Sequence, residues 1–160
     1  MSNQTDLISL SQGDGSALTG VGKVLQVVSV NIPSGFTTTS TSFVDVTGFT
    51  ASITPSATSS KVLVLVSSRI NLSSGTIINN RGNIKLVRGA TDLAEVMVGA
   101  YLGGVSGNDL NQYHASHISY LDSPSSTSST TYKIQISSET AANNMTCNVP
   151  SAITLMEIAG

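Results

Sequence analysis

The chain has 160 residues, a length that suits one domain, and only 10% of them are charged, seven basic against nine acidic. Those few charges exclude the clustered cations that hold nucleic acid or an anionic membrane surface, so neither is expected as a partner. At 39% hydrophobic and net charge −2 the chain is too apolar for a disordered one, although 27 Ser and 18 Thr make up roughly 28% of it.

Residues 1–22 read as an N-terminal arm, dotted with glycine and weakly apolar at Leu7, Ile8, Leu10 and Leu18. Its first residues, MSNQTDLISLSQ, have neither the basic start nor the apolar stretch of a secretory signal. From residue 23 to 160 the sequence breaks into short alternating or wholly apolar runs, parted by Ser, Thr, Gly, Asn and Pro. Lys23 to Asn31 is the first strand, ended by Ile32-Pro33-Ser34-Gly35. Thr41 to Thr47 and Phe49 to Thr54, parted at Gly48, read as two parts of a bent strand or as a hairpin.

Lys61 to Ile70 places Val62, Val64 and Val66 on one face and Leu63 and Leu65 on the other, so the strand should be central or lie at an interface. Its core, Val62–Val66, is the longest aliphatic run, far short of the ~20 residues that span a bilayer, and a soluble protein is expected. Arg81 to Arg88 turns Ile84 and Leu86 inward and carries three basic residues, Arg81, Lys85 and Arg88, best read as a solvated strand face rather than an anion site. Asp92 to Tyr101 has both a capping-box spacing and alternation at Val96, Val98 and Ala100; the β context and Gly99 favour a strand over a helix. Leu102 to Asn111 is a loop, Tyr113 to Leu121 and Thr130 to Ser138 are strands, Thr146 to Asn148 is a short run before Pro150, and Ala152 to Ile158 closes the chain. About eight to ten strands without crossover helices predict an all-β, antiparallel two-sheet sandwich. A jelly roll fits; an immunoglobulin-like sandwich is the alternative, weakened by the absence of tryptophan and of a cysteine pair.

Chemistry is sparse. His114 and His117 lie three apart, so on a strand they point to opposite faces and cannot share a metal within one chain. One histidine per chain could still meet its copies on the axis of a trimer. Cys147, the single cysteine, has no basic neighbour to activate it and reads as a buried thiol. The glycines form no phosphate-binding spacing, and the acidic residues, Asp122 and Glu157 among them, never cluster as a calcium loop requires. No cofactor is expected. The four tyrosines, Tyr101, Tyr113, Tyr120 and Tyr132, suit packing better than a sugar or receptor site.

Four stretches, SFVDVTGFTASITPSATSSKVLVLVSS (42–68), IKLVRGATDL (84–93), SYLDSPSSTSSTTYKIQISS (119–138) and SAITLMEIAG (151–160), resemble a group of tailed-bacteriophage virion proteins: the β-sandwich modules of capsid decoration (cement) proteins, head fibres and tail-fibre tips. The resemblance implies a jelly-roll-like fold, a homotrimer, no enzymatic activity and attachment through the N-terminal segment. The short arm favours a decoration protein on the outer surface of the capsid. It would hold the major capsid protein through Leu7, Ile8, Leu10, Leu18 and Val21, by adding a strand to a capsid-protein edge. The alternative is a fibre tip that binds a host receptor or glycan through Tyr101 and Tyr120.

Overall fold

A computed structural model describes residues 23–74, 79–101 and 110–160. The described residues form nine strands: β1 (Val24–Asn31), β2 (Phe36–Thr38), β3 (Val44–Ile53), β4 (Lys61–Ser74), β5 (Asn79–Arg88), β6 (Thr91–Tyr101), β7 (Leu110–Asp122), β8 (Thr130–Ser138) and β9 (Asn143–Ile158). The first sheet runs β1-β9-β4-β7, with β2 paired to β9; the second runs β3-β8-β5-β6. All the pairings are antiparallel. This is the strand order of a jelly roll, in which the chain passes repeatedly from one sheet to the other.

Alternation decides what lies between the sheets. Val62, Val64, Val66, Ile70 and Leu72 of β4, with Met145, Cys147, Ile153 and Leu155 of β9, meet Phe49, Ile84, Leu86, Tyr132, Ile134 and Ile136 of the second sheet. Each of these inner aliphatic side chains stabilises the fold by about 1.5–3 kcal/mol. The same alternation places many of the hydroxyls outward, although Ser68, Ser116, Ser138 and Ser151 are buried. On the outer faces Ser29 meets Thr154 at 2.9 Å, Thr37 meets Thr146 at 2.9 Å and Ser52 meets Thr131 at 2.7 Å, each pair directly opposed in the ladder.

β9, β2 and β7 differ from expectation, and β3 decides between two alternatives. The runs 146–148 and 152–158 are one strand, because β9 carries Pro150 in a bulge: while β4 advances from Ser67 to Arg69, β9 advances from Ala152 to Asn148. Two extra residues preserve parity, so Met145 and Cys147 before the bulge and Ile153 and Leu155 after it face the same core. Thr41 to Thr54 resolves into the single bent strand β3, where Gly48 takes a φ of 76° between the Asp45 and Thr50 pairings. The three-residue β2 has too little sequence to show a period. Residues 92–101 are strand throughout, and β7 begins at Leu110, inside the expected loop.

Candidate functional site

The outer face of the first sheet is the surface that distinguishes this molecule. Odd-numbered residues of β1, β4 and β7 and even-numbered residues of β9 point outward, which follows from the inward placement of their neighbours. Register then assembles a transverse apolar row: Val27 of β1 opposes Met156 of β9, Met156 opposes Leu63 of β4, and Leu63 opposes Leu121 of β7. Val27 is 55% and Leu121 53% exposed. Val24, Leu25 and Leu65 extend the patch. Beside Leu65 a shallow hollow of about 290 Å³ is lined by Ser67, His117, Ser119, Ala152 and Thr154.

Charge is distributed unequally over the two outer faces. On the second sheet Lys133 pairs with Asp45 at 2.8 Å, and Lys85 pairs with Asp92 at 2.8 Å and Glu95 at 3.7 Å while resting 3.9 Å from the centre of the Phe43 ring. The hydrogen bonds from Lys133 and Gln135 hold the Asp45 carboxyl below its ordinary range, and the Asp92 bond raises Lys85. Such exposed pairs contribute little stability but keep a surface wet. The outward positions of the first sheet's strands carry no carboxylate among the described residues, and only Lys61 and Arg69 as permanent cations.

The proposed capsid contacts Leu7, Ile8, Leu10, Leu18 and Val21 lie outside the described residues. Tyr101 ends β6, and its side chain also lies outside them. Tyr120 does not stand on the surface: it points inward, half-buried against the core, as its even position on β7 requires. Tyr113 is the exposed one, at 63%. His114 points inward and His117 outward, so the two are separated by the sheet. Among the described residues no three His, Cys, Asp or Glu side chains are grouped to hold a metal. Cys147 is buried 3.7 Å from the Ser151 hydroxyl, and burial pushes its thiol up, away from nucleophilic use.

The three basic residues of β5 are all paired. Arg81 meets Glu139 at 2.9 Å and Lys85 its two carboxylates, while Arg88, instead of standing on a solvated face, reaches inward to Asp122. Sequence reasoning missed the buried acids. Asp122 and Glu157 both oppose Val62 in the ladder, one on each side, and close the same end of the sandwich. Asp122 receives Arg88 Nη1 at 2.8 and 2.7 Å and Tyr132 Oη at 2.7 Å. Glu157 Oε1 receives the Ser56 N–H and hydroxyl at 2.7 and 2.6 Å, and its Oε2 the Gln26 amide at 2.6 Å. With all four oxygens engaged by the protein's own donors, the pair is built to join loops and sheets rather than to transfer protons. Their sequence signal was slight: acids at inward parity, next to apolar runs.

No protein-family model matches the chain, and no curated protein does. Among solved structures, similar chains include one from the structure of infectious bursal disease virus Gt strain (17% identity, TM-score 0.36, covering 82% of this chain and 31% of that one) and one from the VP2 subviral particle of infectious bursal disease virus (15%, 0.36, 82% and 32%). A third is the Eiger TNF of S. frugiperda (12%, 0.33, 81% and 94%). The chain thus spans about a third of the length of the two viral chains. At these scores the likeness is loose and says nothing of what the chain binds.

Proposed function

We propose that this is a structural virion protein whose work is assembly: a homotrimeric decoration protein on the outer surface of a phage capsid. The observation that carries the reading is the transverse row Val27–Met156–Leu63–Leu121, an apolar strip with no charge in it on an otherwise finished jelly roll. A copy of the same chain suits such a strip, because the four side chains of the row bring no ion that would have to be stripped of water, Lys61 standing beyond it at the sheet's end. The phage-like strings support the virion setting. The buried cysteine, the separated histidines and the fully engaged carboxylates support a non-enzymatic role.

In this reading residues 1–22 hold the major capsid protein, with Leu7, Ile8, Leu10, Leu18 and Val21 as the apolar contacts. Each trimer then opposes internal pressure by adding interface area between neighbouring capsid subunits. The test is binding of the purified protein to expanded capsids, with and without residues 1–22. Full-length protein should bind and the truncated protein should not; equal binding by both would overturn the role of the arm. The second reading is a fibre tip that binds a receptor or glycan. It is favoured by the exposed Tyr113 at the other end of the same face.

A further inference from the structure

We propose that the polar end of the first sheet's outer face binds a neutral oligosaccharide. Along the strands the face changes from apolar side chains to aromatic, amide and hydroxyl ones. The ladder sets four of them in one transverse row: Tyr113 of β7 opposes Asn71 of β4, Asn71 opposes Thr146 of β9, and Thr146 opposes Thr37 of β2. Three strand spacings make this row about 14 Å long, room for a short oligosaccharide laid across the strands.

The ring at the end of the row is held in place. The Arg69 guanidinium lies 5.2 Å from the Tyr113 ring centre and donates through Nη1 to the Val149 carbonyl at 3.3 Å. This cation–ring contact favours one orientation of the ring and leaves most of it in solvent, 63% exposed. A pre-positioned aromatic surface loses little freedom on binding and offers the C–H faces of a sugar an apolar platform beside a polar hydroxyl. Next to it the Asn71 Nδ2 is shared, at 3.4 Å each, between Asn111 Oδ1 and the Gln112 carbonyl. Both bonds are long, so vicinal sugar hydroxyls that accept from one amide and donate to the other would find better geometry than the protein supplies itself.

Charge selects the ligand class. Arg69 is the one cation of this end and is already engaged by ring and carbonyl, and no carboxylate stands at an outward position of these strands among the described residues. Among the described residues an anionic ligand would meet a single occupied guanidinium, and a cationic one no carboxylate. The site gives chemical form to the second reading, on which it rests, and is independent of the assembly reading, because association through the apolar end leaves this end open.

The test uses the full chain on a microarray of neutral and acidic glycans, followed by titration of the best neutral oligosaccharide against ¹⁵N-labelled protein. Neutral glycans should bind and shift the amides of β4, β7 and β9 around Asn71 and Tyr113. Tyr113→Ala should weaken binding roughly tenfold or more, as loss of a stacking surface does, and Tyr113→Phe should retain most of it. Neither variant should alter the oligomeric state or the melting temperature by more than a degree or so, since the side chain is exposed. The proposal is overturned if no neutral glycan binds, if Tyr113→Ala binds as well as wild type, or if only acidic glycans bind and Arg69→Ala abolishes it.

Discussion

Tyr132 of β8 donates its phenolic hydroxyl to Oδ2 of Asp122 on β7 at 2.7 Å, joining the two sheets through a hydrogen bond buried at the end of the sandwich. Arg88 of β5 engages both oxygens of the same carboxylate, so one acid holds two strands of the opposite sheet. Burial, followed by the Asp122 bond, pushes the Tyr132 phenol up and keeps it protonated as a donor. Asp122→Ala leaves the Arg88 guanidinium without its partner and should cost about 3 kcal/mol. Tyr132→Phe removes one neutral donor and should cost about 1–2 kcal/mol. Denaturant unfolding of the two variants and the double mutant gives the coupling; additive losses would show that Asp122 and Tyr132 do not act as a pair.

Glu157 makes stability depend on acidity. Burial alone would raise its carboxyl, but the Ser56 hydroxyl, the Gln26 amide and the Ser56 N–H outweigh that and hold it at about 2. This lies below the ordinary 4.5 of the free side chain, so the ionised form favours the fold. The contribution is complete above about pH 4.5 and disappears as the pH falls toward 2. Glu157→Gln should therefore lower stability at pH 7 and flatten the profile between those limits. Parallel acid-unfolding curves for variant and wild type would contradict this.

Two glycines with positive φ should respond differently to alanine. Gly99 of β6 has a φ of 105°, and a methyl there would run into the carbonyl oxygen of Asn80 and the side chain of Leu72. Gly89, in the β5–β6 turn at a φ of 57°, faces open space. Gly99→Ala should cost about 2–4 kcal/mol, strain and collision together, against about 1 kcal/mol for Gly89→Ala. Thermal melts of the two variants compare them directly, and equal shifts would refute the collision at Gly99.

Cys147 provides a reporter of opening. Its thiol is buried and pushed up by burial, so a thiol reagent at pH 8 should react only as the sandwich unfolds. Rapid labelling of the native protein would contradict that placement.

The strand map was largely legible because period and punctuation are local. Val62, Val64 and Val66 against Leu63 and Leu65 announced a strand with an apolar patch on each face, and one patch is core while the other lies open. The fate of Asp122, Arg88 and Tyr132 was not legible. Their meeting depends on β7 of one sheet crossing β5 and β8 of the other, a long-range relation that no spacing within the chain encodes. Tyr113 and Tyr120 differ in parity, which turns the first outward and the second inward, a distinction that residue type alone does not carry. Likewise Pro150 looked like the end of a strand, because sequence does not reveal that a two-residue bulge will restore the register.

Sedimentation equilibrium tests self-association through the apolar row most directly. Wild-type protein at micromolar concentration should sediment as a trimer, with a melting temperature that rises with protein concentration. The double variant Leu65→Asp, Leu121→Asp places charges on the outer face, away from the core, and should sediment as a folded monomer with unchanged far-ultraviolet circular dichroism. A monomeric wild type, or a double variant that remains as associated as wild type, would contradict self-association through this row.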